Sequence, residues 1–207
     1  MSKPAKYYEL CLVTDRALAG GRAVADVVAA AVKGGVTMVQ LREKTATTRA
    51  FVEQARALQR LLAPLQVPLL INDRIDVALA ARADGAHVGQ RDMPIALARQ
   101  LLGPKAIIGL SITARGELDG EGVALADYLG VGPIFAQATK LDATPPLGLD
   151  GLAEIRRATR KPIVAIGGIA AANAATVRAA GADGIAVVSA IMGAADPMAA
   201  AAALAAR

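Results

Sequence analysis

The chain has 207 residues, of which 55% are hydrophobic and 20% charged, so it can build one domain with a large core. Its formal charge of +5 is scattered and aromatic residues make up only 2%, which argues against a basic nucleic-acid tail and against an aromatic platform for single strands. The longest uncharged stretch, residues 162–177, is too short and too interrupted to cross a bilayer.

The sequence has a single cysteine, Cys11, and a single histidine, His87. An internal disulfide is therefore impossible, and a zinc site is not expected. Cys11 lies in an apolar run and residues 1–14 lack the apolar core of a signal peptide, which together predict a cytoplasmic protein. We expect neither a nucleic acid nor a membrane as a partner.

Short apolar runs alternate with Ala- and Leu-rich helical segments along the chain. The predicted strands are residues 9–13, 36–41, 68–71, 86–88, 106–110, 128–131, 162–166 and 184–188. The predicted helices are residues 23–33, 48–62, 75–81, 94–102, 117–124, 149–159, 173–180 and 197–206. Eight strand–helix units predict parallel βαβ connections and an α/β fold, a (β/α)8 TIM barrel that forms a single domain over residues 1–207.

An open, doubly wound sheet is the alternative fold. It would place a Gly-rich phosphate-binding turn after the first strand, where this chain has Val13-Thr14-Asp15-Arg16. The helix-to-strand turns at residues 82–86 and 180–184 have similar sequences, which indicates repeated units within one domain.

Two cations, Arg42 and Lys44, follow the second strand. The active site of such a barrel lies at the carboxyl ends of the strands, and alternate residues of a strand point the same way. Two neighbouring fixed cations repel each other, so this pattern suits a phosphate or pyrophosphate clamp. The alternative is a solvated strand end with no specific role.

Two carboxylates, Asp73 and Asp92, follow the third and fourth strands. Oxygen ligands without His or Cys suit Mg²⁺, which commonly takes one or two carboxylates plus a substrate phosphate. The alternative is that Asp73 and Asp92 cap the helices that follow them. Further polar residues follow these or later strands at Asn72, Gln90, Ser111, Thr139 and Lys140.

The last two strands end in Gly167-Gly168 and Val188-Ser189, where barrels often bind a phosphate through backbone N–H groups. Tight turns that need glycine are the alternative. We expect His87 to be an interior residue with satisfied hydrogen bonds and Glu43 to be structural. Residues 141–147 form the longest irregular stretch on this rim, either a lid or an ordinary surface loop.

Short motifs in order over nearly the whole chain resemble those of one enzyme family. They are Gln-Leu-Arg-Glu-Lys at 40–44, Ile-Asn-Asp at 71–73, His-Val-Gly-Gln-Arg-Asp at 87–92, Gly-Leu-Ser at 109–111, Gly-Pro-Ile-Phe at 132–135, Thr-Lys at 139–140, Pro-Pro-Leu-Gly-Leu at 145–149 and Ile-Gly-Gly-Ile at 166–169. This ordered set is similar to that of thiamine phosphate synthase, also called thiamine-phosphate pyrophosphorylase.

The resemblance implies a (β/α)8 barrel that joins hydroxymethylpyrimidine pyrophosphate to a thiazole phosphate, commonly a carboxylated one. The products would be thiamine phosphate, pyrophosphate and, from the carboxylated substrate, CO₂. The C–O bond to pyrophosphate would break first, and the thiazole nitrogen would then attack the pyrimidine-stabilised cation. No side-chain nucleophile is needed.

The resemblance also assigns roles to residues. The catalytic residues would be Arg42, Lys44, Ser111 and Lys140. The pyrimidine pyrophosphate would be bound by Gln40, Leu41, Arg42, Glu43, Lys44, Asn72, Ser111 and Lys140. The thiazole phosphate would be bound by Gln137, Ala138, Thr139, Gly168, Val188 and Ser189. Mg²⁺ would be held by Asp73 and Asp92.

One position departs from the family pattern. Gln137 stands where the family usually has Thr, so the contact with the thiazole phosphate is expected to differ. Two rival functions stay open: a thiazole tautomerase-like isomerase, and a protein that binds a thiamine precursor without converting it. The Ala-rich exterior also makes a homo-oligomer possible.

Overall fold

Eight parallel strands close into a barrel in a computed structural model that describes residues 3–136 and 145–206. Each strand pairs with the next along the chain, and the last pairs with the first. The strands are β1 (Leu10–Val13), β2 (Met38–Leu41), β3 (Leu69–Asn72), β4 (Gly85–Val88), β5 (Ile107–Ile112), β6 (Tyr128–Val131), β7 (Ile163–Ile166) and β8 (Gly184–Val187). The closed parallel order confirms the predicted (β/α)8 barrel and excludes the open sheet.

Helices follow the strands as predicted, except that one predicted helix is wrong and one short helix, after β8, was not predicted. They are α1 (Val24–Lys33), α2 (Thr48–Leu62), α3 (Ile75–Ala81), α4 (Ile95–Leu102), α5 (Gly122–Leu125), α6 (Gly148–Ala158), α7 (Ala171–Ala179), α8 (Ser189–Met192) and α9 (Pro197–Ala205). The predicted helix at 117–124 is wrong, since a 3₁₀ turn at Arg115–Asp119 precedes the four-residue α5. Glycines at 116, 120 and 122 explain the break, because glycine is unfavourable inside helices.

The longer helices have recognisable start signals and buried faces. Thr47 caps α2 by accepting a hydrogen bond from the Ala50 backbone, and Asp196 caps α9 in front of Pro197. The Ala-rich α9 packs on α1 so closely that a Cβ at Gly34 would lie 2.2 Å from the Met198 carbonyl oxygen. Within residues 3–136 and 145–206, no helix has both the length and the hydrophobicity needed to cross a membrane.

A repeated hydrogen bond closes the amino end of the barrel. The residue just before each even-numbered strand accepts a hydrogen bond from the backbone N–H of the odd-numbered strand before it. The four acceptors are Thr37 for Leu10 (2.9 Å), Asp84 for Leu69 (2.8 Å), Asp127 for Ile108 (2.8 Å) and Asp183 for Ile163 (2.7 Å). The similar turns at 82–86 and 180–184 therefore perform the same task, as repeated units should.

The barrel interior is filled by large side chains that pack against glycines of β5 and β6. Tyr128 and His87 both lie inside, and a Cβ at Gly109 would come within 2.3 Å of Tyr128 Cζ and 2.4 Å of His87 Nδ1. A Cβ at Gly130 would come within 2.6 Å of His87 Cε1. Glycine on β5 and β6 thus makes room for the polar interior on which the site rests.

We expect Gly109→Ala to destabilise the protein by about 2–3 kcal/mol, because overpacking a filled core forces side chains off their rotamers. For a chain of this length that corresponds to a fall in Tm of about 4–12 °C, measured by thermal unfolding. Gly116→Ala is the matched control, since its added methyl group meets nothing within 4 Å. Equal Tm values for the two variants would contradict the packing described here.

Candidate active site

Arg42 is held at the carboxyl end of β2 by the loop that follows β1. Its backbone N–H donates to the hydroxyl of Thr14 (3.1 Å), a residue that is only 1% exposed. Its guanidinium Nη1 lies 3.7 Å from Asp15 Oδ2, and that carboxylate also accepts hydrogen bonds from the backbone N–H groups of Ala17 and Leu18. Thr14 and Asp15, which the sequence did not single out, therefore position Arg42.

Glu43 shapes the loop between Arg42 and α2. Its carboxylate accepts hydrogen bonds from the backbone N–H groups of Lys44, Thr45 and Ala46, and it pairs with Arg16 at 3.1 Å. Burial alone would raise the pKa of Glu43, but these hydrogen bonds and Arg16 outweigh it and leave the pKa below its ordinary value. This is the structural role expected from the sequence.

Lys44 and Asp73 form an ion pair with Nζ and Oδ2 2.6 Å apart. Asp73 has a backbone φ of 61°, a conformation that Asp tolerates better than most residues, and its backbone N–H donates to the His87 carbonyl. The helix that follows, α3, has no side-chain cap, so the capping alternative is wrong for Asp73. Arg42 and Lys44 do not share one partner, because each contacts a carboxylate on a different neighbouring loop.

Asp92 lies on the next loop, after β4. Its Oδ2 accepts a hydrogen bond from the Gly89 backbone N–H (2.7 Å), and α4 has no side-chain cap either. In residues 3–136 and 145–206, no three His, Cys, Asp or Glu side chains form a set that could hold a metal by themselves. Two carboxylates on adjacent loops fit a Mg²⁺ ion whose other ligands are water and substrate phosphate.

A chain of hydrogen bonds leads from the barrel interior to Ser111 at the end of β5. The hydroxyl of Tyr128 is bonded to His87 Nδ1 (2.9 Å), and His87 Nε2 is bonded to Ser111 Oγ (2.9 Å). Gln40, on β2, is also buried, with 6% of its surface exposed. Burial lowers the pKa of His87 to about 4, with Asp92 opposing the shift. A neutral His87 with both nitrogens bonded confirms the prediction of a satisfied interior histidine and fixes the Ser111 hydroxyl.

We expect His87 to make stability pH-dependent. An unfolded histidine has a pKa near 6.5, so between about pH 6.5 and pH 4 the unfolded chain binds a proton that the folded chain does not. Stability should therefore fall by up to about 3 kcal/mol as the pH drops through this window. Urea unfolding at pH 7 and pH 4.5 should show a larger loss of unfolding free energy for the wild type than for His87→Gln. Equal losses would show that His87 is not the cause of the pH dependence.

Two further residues assigned to the pyrimidine pyrophosphate, Asn72 and Leu41, lie on strands, and Gln90 is a polar residue that follows β4. Asn72 is half-buried at the end of β3 and pairs in register with His87. Leu41 is fully buried in the core between the strands and the helices, so its side chain faces away from the barrel interior. Gln90 reaches from the loop after β4 and donates to the Ser111 carbonyl oxygen (2.8 Å).

The carboxyl ends of β7 and β8 bring Gly168, Val188 and Ser189 together as neighbours. Gly168 has a φ of +66°, and a Cβ there would lie 2.7 Å from Phe135 Cβ, so both conformation and space require glycine. Its carbonyl oxygen accepts a hydrogen bond from Asn173 on α7. Val188 precedes α8 and Ser189 begins it.

Some predicted site residues lie outside the part of the chain that the structure describes. They are Gln137, Ala138, Thr139 and Lys140, together with residues 141–144 of the loop for which a lid and an ordinary surface loop were the alternatives. Their roles stay predictions. The described rim nevertheless brings together two cations, two carboxylates, a buried hydrogen-bond chain and a glycine turn at one end of the barrel.

Comparison with known proteins shows the family of the chain. A family model described as thiamine monophosphate synthase matches residues 10–191. The thiamine-phosphate synthases of Albidiferax ferrireducens and Syntrophomonas wolfei are 59% and 56% identical to the chain over 192 and 190 residues, which cover 93% and 91% of the chain and 88% and 90% of these relatives.

Solved structures of similar proteins have the same fold as this chain. The thiamine phosphate pyrophosphorylase from Pyrococcus furiosus superposes with a TM-score of 0.87 at 39% identity, covering 97% of this chain and 95% of that one. A 3-hexulose-6-phosphate synthase, at 22% identity and a TM-score of 0.71, shares the fold alone. By the extent and identity of these matches, the chain belongs to the thiamine monophosphate synthase family, and with it to the transferases of thiamine biosynthesis.

Proposed function

We propose that the chain joins hydroxymethylpyrimidine pyrophosphate to a thiazole phosphate and releases pyrophosphate, with the thiazole phosphate accepted in its carboxylated or plain form. The observation that carries the proposal is the Lys44–Asp73 pair at 2.6 Å, flanked by Arg42 and Asp92 at the same rim. Fixed cations beside oxygen ligands are the groups that a pyrophosphate with its divalent metal requires.

The difficult step is the loss of the pyrophosphate. The bond between the pyrimidine methylene carbon and the bridging oxygen breaks, its electron pair leaves with the pyrophosphate, and the thiazole nitrogen forms the new C–N bond. With the carboxylated substrate, CO₂ is lost as well. Arg42 and Lys44 stabilise the charge that develops on the leaving oxygens, which is where preorganised donors contribute most to the rate.

Asp73 and Asp92 are the residues that would hold Mg²⁺. A bound Mg²⁺ would neutralise charge on the leaving pyrophosphate. Lys44 now contacts the carboxylate of Asp73, so this ammonium group is close enough to share the same phosphate oxygens once substrate binds. Lys140, by its place in the motif, would add a further cation from the loop after β6.

The buried chain through Tyr128 and His87 would fix the Ser111 hydroxyl in one direction. A neutral His87 offers one donor and one acceptor, and both of its nitrogens are already bonded. No group in this chain needs to act as a nucleophile. Ser111 therefore serves as an oriented hydrogen-bonding group toward the pyrimidine pyrophosphate.

The thiazole phosphate would be bound by the backbone around Gly168, Val188 and Ser189 and by residues 137–139. Gln137 can donate a hydrogen bond in place of the usual Thr, with a longer reach. A thiazole tautomerase or a precursor-binding protein would have little use for Arg42, Lys44, Asp73, Asp92 and Lys140 together. Their joint presence favours the synthase.

The experiment that tests the function is thiamine phosphate formation by the purified chain with Mg²⁺, hydroxymethylpyrimidine pyrophosphate and either thiazole phosphate. We expect product with at least one of the two, and the ratio of the rates shows the preference that Gln137 sets. The pyrimidine monophosphate is the control and should give no product. Binding of both substrates without product would favour the precursor-binding protein.

Oligomeric state and location are separate proposals. Exposed leucines on α3, α4 and α5, at positions 79, 97, 101 and 125, support a homo-oligomer. Light scattering of the purified protein tests this. Fractionation of source cells tests the cytoplasmic location.

A further inference from the structure

The loop after β1 contains a charged side chain that the proposed chemistry does not use. The guanidinium of Arg22 donates three hydrogen bonds to backbone carbonyl oxygens, at 2.9 Å to Ala19, 2.7 Å to Ala194 and 2.6 Å to Met192. Among the described residues it forms no ion pair with a carboxylate. All three hydrogen bonds therefore go to backbone carbonyl oxygens. Two of them link the loop after β1 to the segment that follows β8.

Two of these carbonyls belong to the end of α8 and the residues after it. The last carbonyls of a helix have no partner inside the helix, and a single turn is too short to be stable alone. Two residues of this turn, Ile191 and Met192, are fully buried. Arg22 supplies the missing donors and ties the end of α8 to the β1 loop.

The backbone conformation of the loop before Arg22 places its side chain beside the end of α8. Gly20 and Gly21 both have positive φ, 61° and 84°, and a Cβ on either would meet nothing within 4 Å. Their freedom is thus needed for the backbone path and not for packing. The guanidinium contacts its own loop at the carbonyl oxygen of Ala19, and it contacts the end of α8 at the carbonyl oxygen of Met192.

We infer that Arg22 is a positioning residue that sets the affinity of the site for the phosphate group of the second substrate. This rests on the proposed function of Val188 and Ser189, which lie at the opposite end of the same turn, about 6 Å away. A turn this short moves as one piece, so a shift at Met192 is passed to Val188 and Ser189. Arg22 touches neither the substrate nor the reacting atoms.

The test uses Arg22→Lys, which keeps the charge and loses the three-way fork. We expect the Kd for thiazole phosphate to rise about tenfold, because an error of about 1 Å in a binding group is costly. The Kd for the unphosphorylated thiazole alcohol and the KM for the pyrimidine pyrophosphate should stay unchanged. Arg22→Gln is measured in parallel, so that the result does not depend on one variant folding.

Arg99→Lys is the matched control. Arg99 also donates to backbone carbonyl oxygens, those of Ala106 and Leu125, but at the amino end of the barrel, where it pairs with Asp127 at 2.7 Å as well. We expect it to lower stability without changing phosphate affinity. If Arg22 acted only through its charge, Arg22→Lys would bind thiazole phosphate as the wild type does. If it acted only through general stability, the Arg22 and Arg99 variants would show the same phosphate affinity. Either result would overturn the inference.

Amide hydrogen exchange provides a readout that needs no substrate. The N–H groups of Met192 and Gly193 are bonded to Val188 and Ser189, and they should exchange faster in Arg22→Lys than in the wild type. Unchanged exchange and unchanged phosphate affinity would overturn the inference and leave the proposed function standing. A wild type that binds the phosphate and the alcohol equally would overturn the inference together with the assignment of the phosphate to Val188 and Ser189, whereas the synthase function is tested separately by product formation.

Discussion

Replacing Arg42 with Ala is expected to lower the rate of thiamine phosphate formation by about 10²- to 10³-fold, the usual cost of removing one preorganised donor from a developing negative charge. Arg42 is held by Thr14 and Asp15 before any substrate arrives, so its orientation costs nothing at the moment of reaction. Steady-state kinetics with saturating thiazole phosphate measure the loss. The fold should be unaffected, since the guanidinium is partly exposed.

Two variants separate position from charge. Arg42→Lys keeps the charge but not the fork that grips two oxygens, so it should recover only part of the rate. Arg115→Ala removes an exposed cation from the loop after β5, where Arg115 pairs with Asp119 at 3.6 Å, and should change the rate by less than about threefold. Equal losses in Arg42→Ala and Arg115→Ala would mean that Arg42 acts only through the overall charge.

Asp73→Asn is expected to lower turnover by about 10²-fold or more and to raise the Mg²⁺ concentration needed for half-maximal rate. The substitution removes a charged oxygen ligand while keeping the size of the side chain, and stabilisation by a bound metal is worth several kcal/mol. Rates measured over a range of Mg²⁺ show the effect, and excess chelator should abolish turnover by the wild type.

Lys44→Met distinguishes a metal ligand from a simple ion-pair partner. An ammonium group 2.6 Å from the Asp73 carboxylate competes with a cation for the same oxygens, so removing it should tighten Mg²⁺ binding in the absence of substrate while turnover collapses. Asp76→Asn is the control, because Asp76 is more exposed and pairs with Arg74 in the same region. Turnover by the wild type in excess chelator would refute the Mg²⁺ role.

The barrel could be predicted because each strand is a short run of apolar residues, and because apolar residues recur with helical spacing in the longer helices. The predicted strands lie within a few residues of those observed, and the errors fall where the signal is weak. The segment 117–124 has helix-forming Leu and Ala interrupted by glycines, and a 3₁₀ turn forms where a single helix was expected. The short α8 was not predicted, since four residues carry no periodicity.

The site was only partly predictable, because the sequence indicates its charged residues but not the side chains that each of them contacts. Arg42, Lys44, Asp73 and Asp92 follow strands and could be recognised one by one. The contacts of Arg42 with Thr14 and Asp15 depend on β1 lying beside β2. The hydrogen bonds of His87 to Tyr128 and Ser111 depend on the register of three neighbouring strands. Sequence spacing carries none of this information.

The most direct measurement of the central claim counts pyrophosphate and thiamine phosphate released by the purified protein from the two substrates with Mg²⁺. We expect the wild type to form equal amounts of both products, and we expect both to fall together in Arg42→Ala and Asp73→Asn. Pyrophosphate without thiamine phosphate would mean simple hydrolysis, and neither product would mean a protein that binds precursors without joining them. Either result would contradict the synthase.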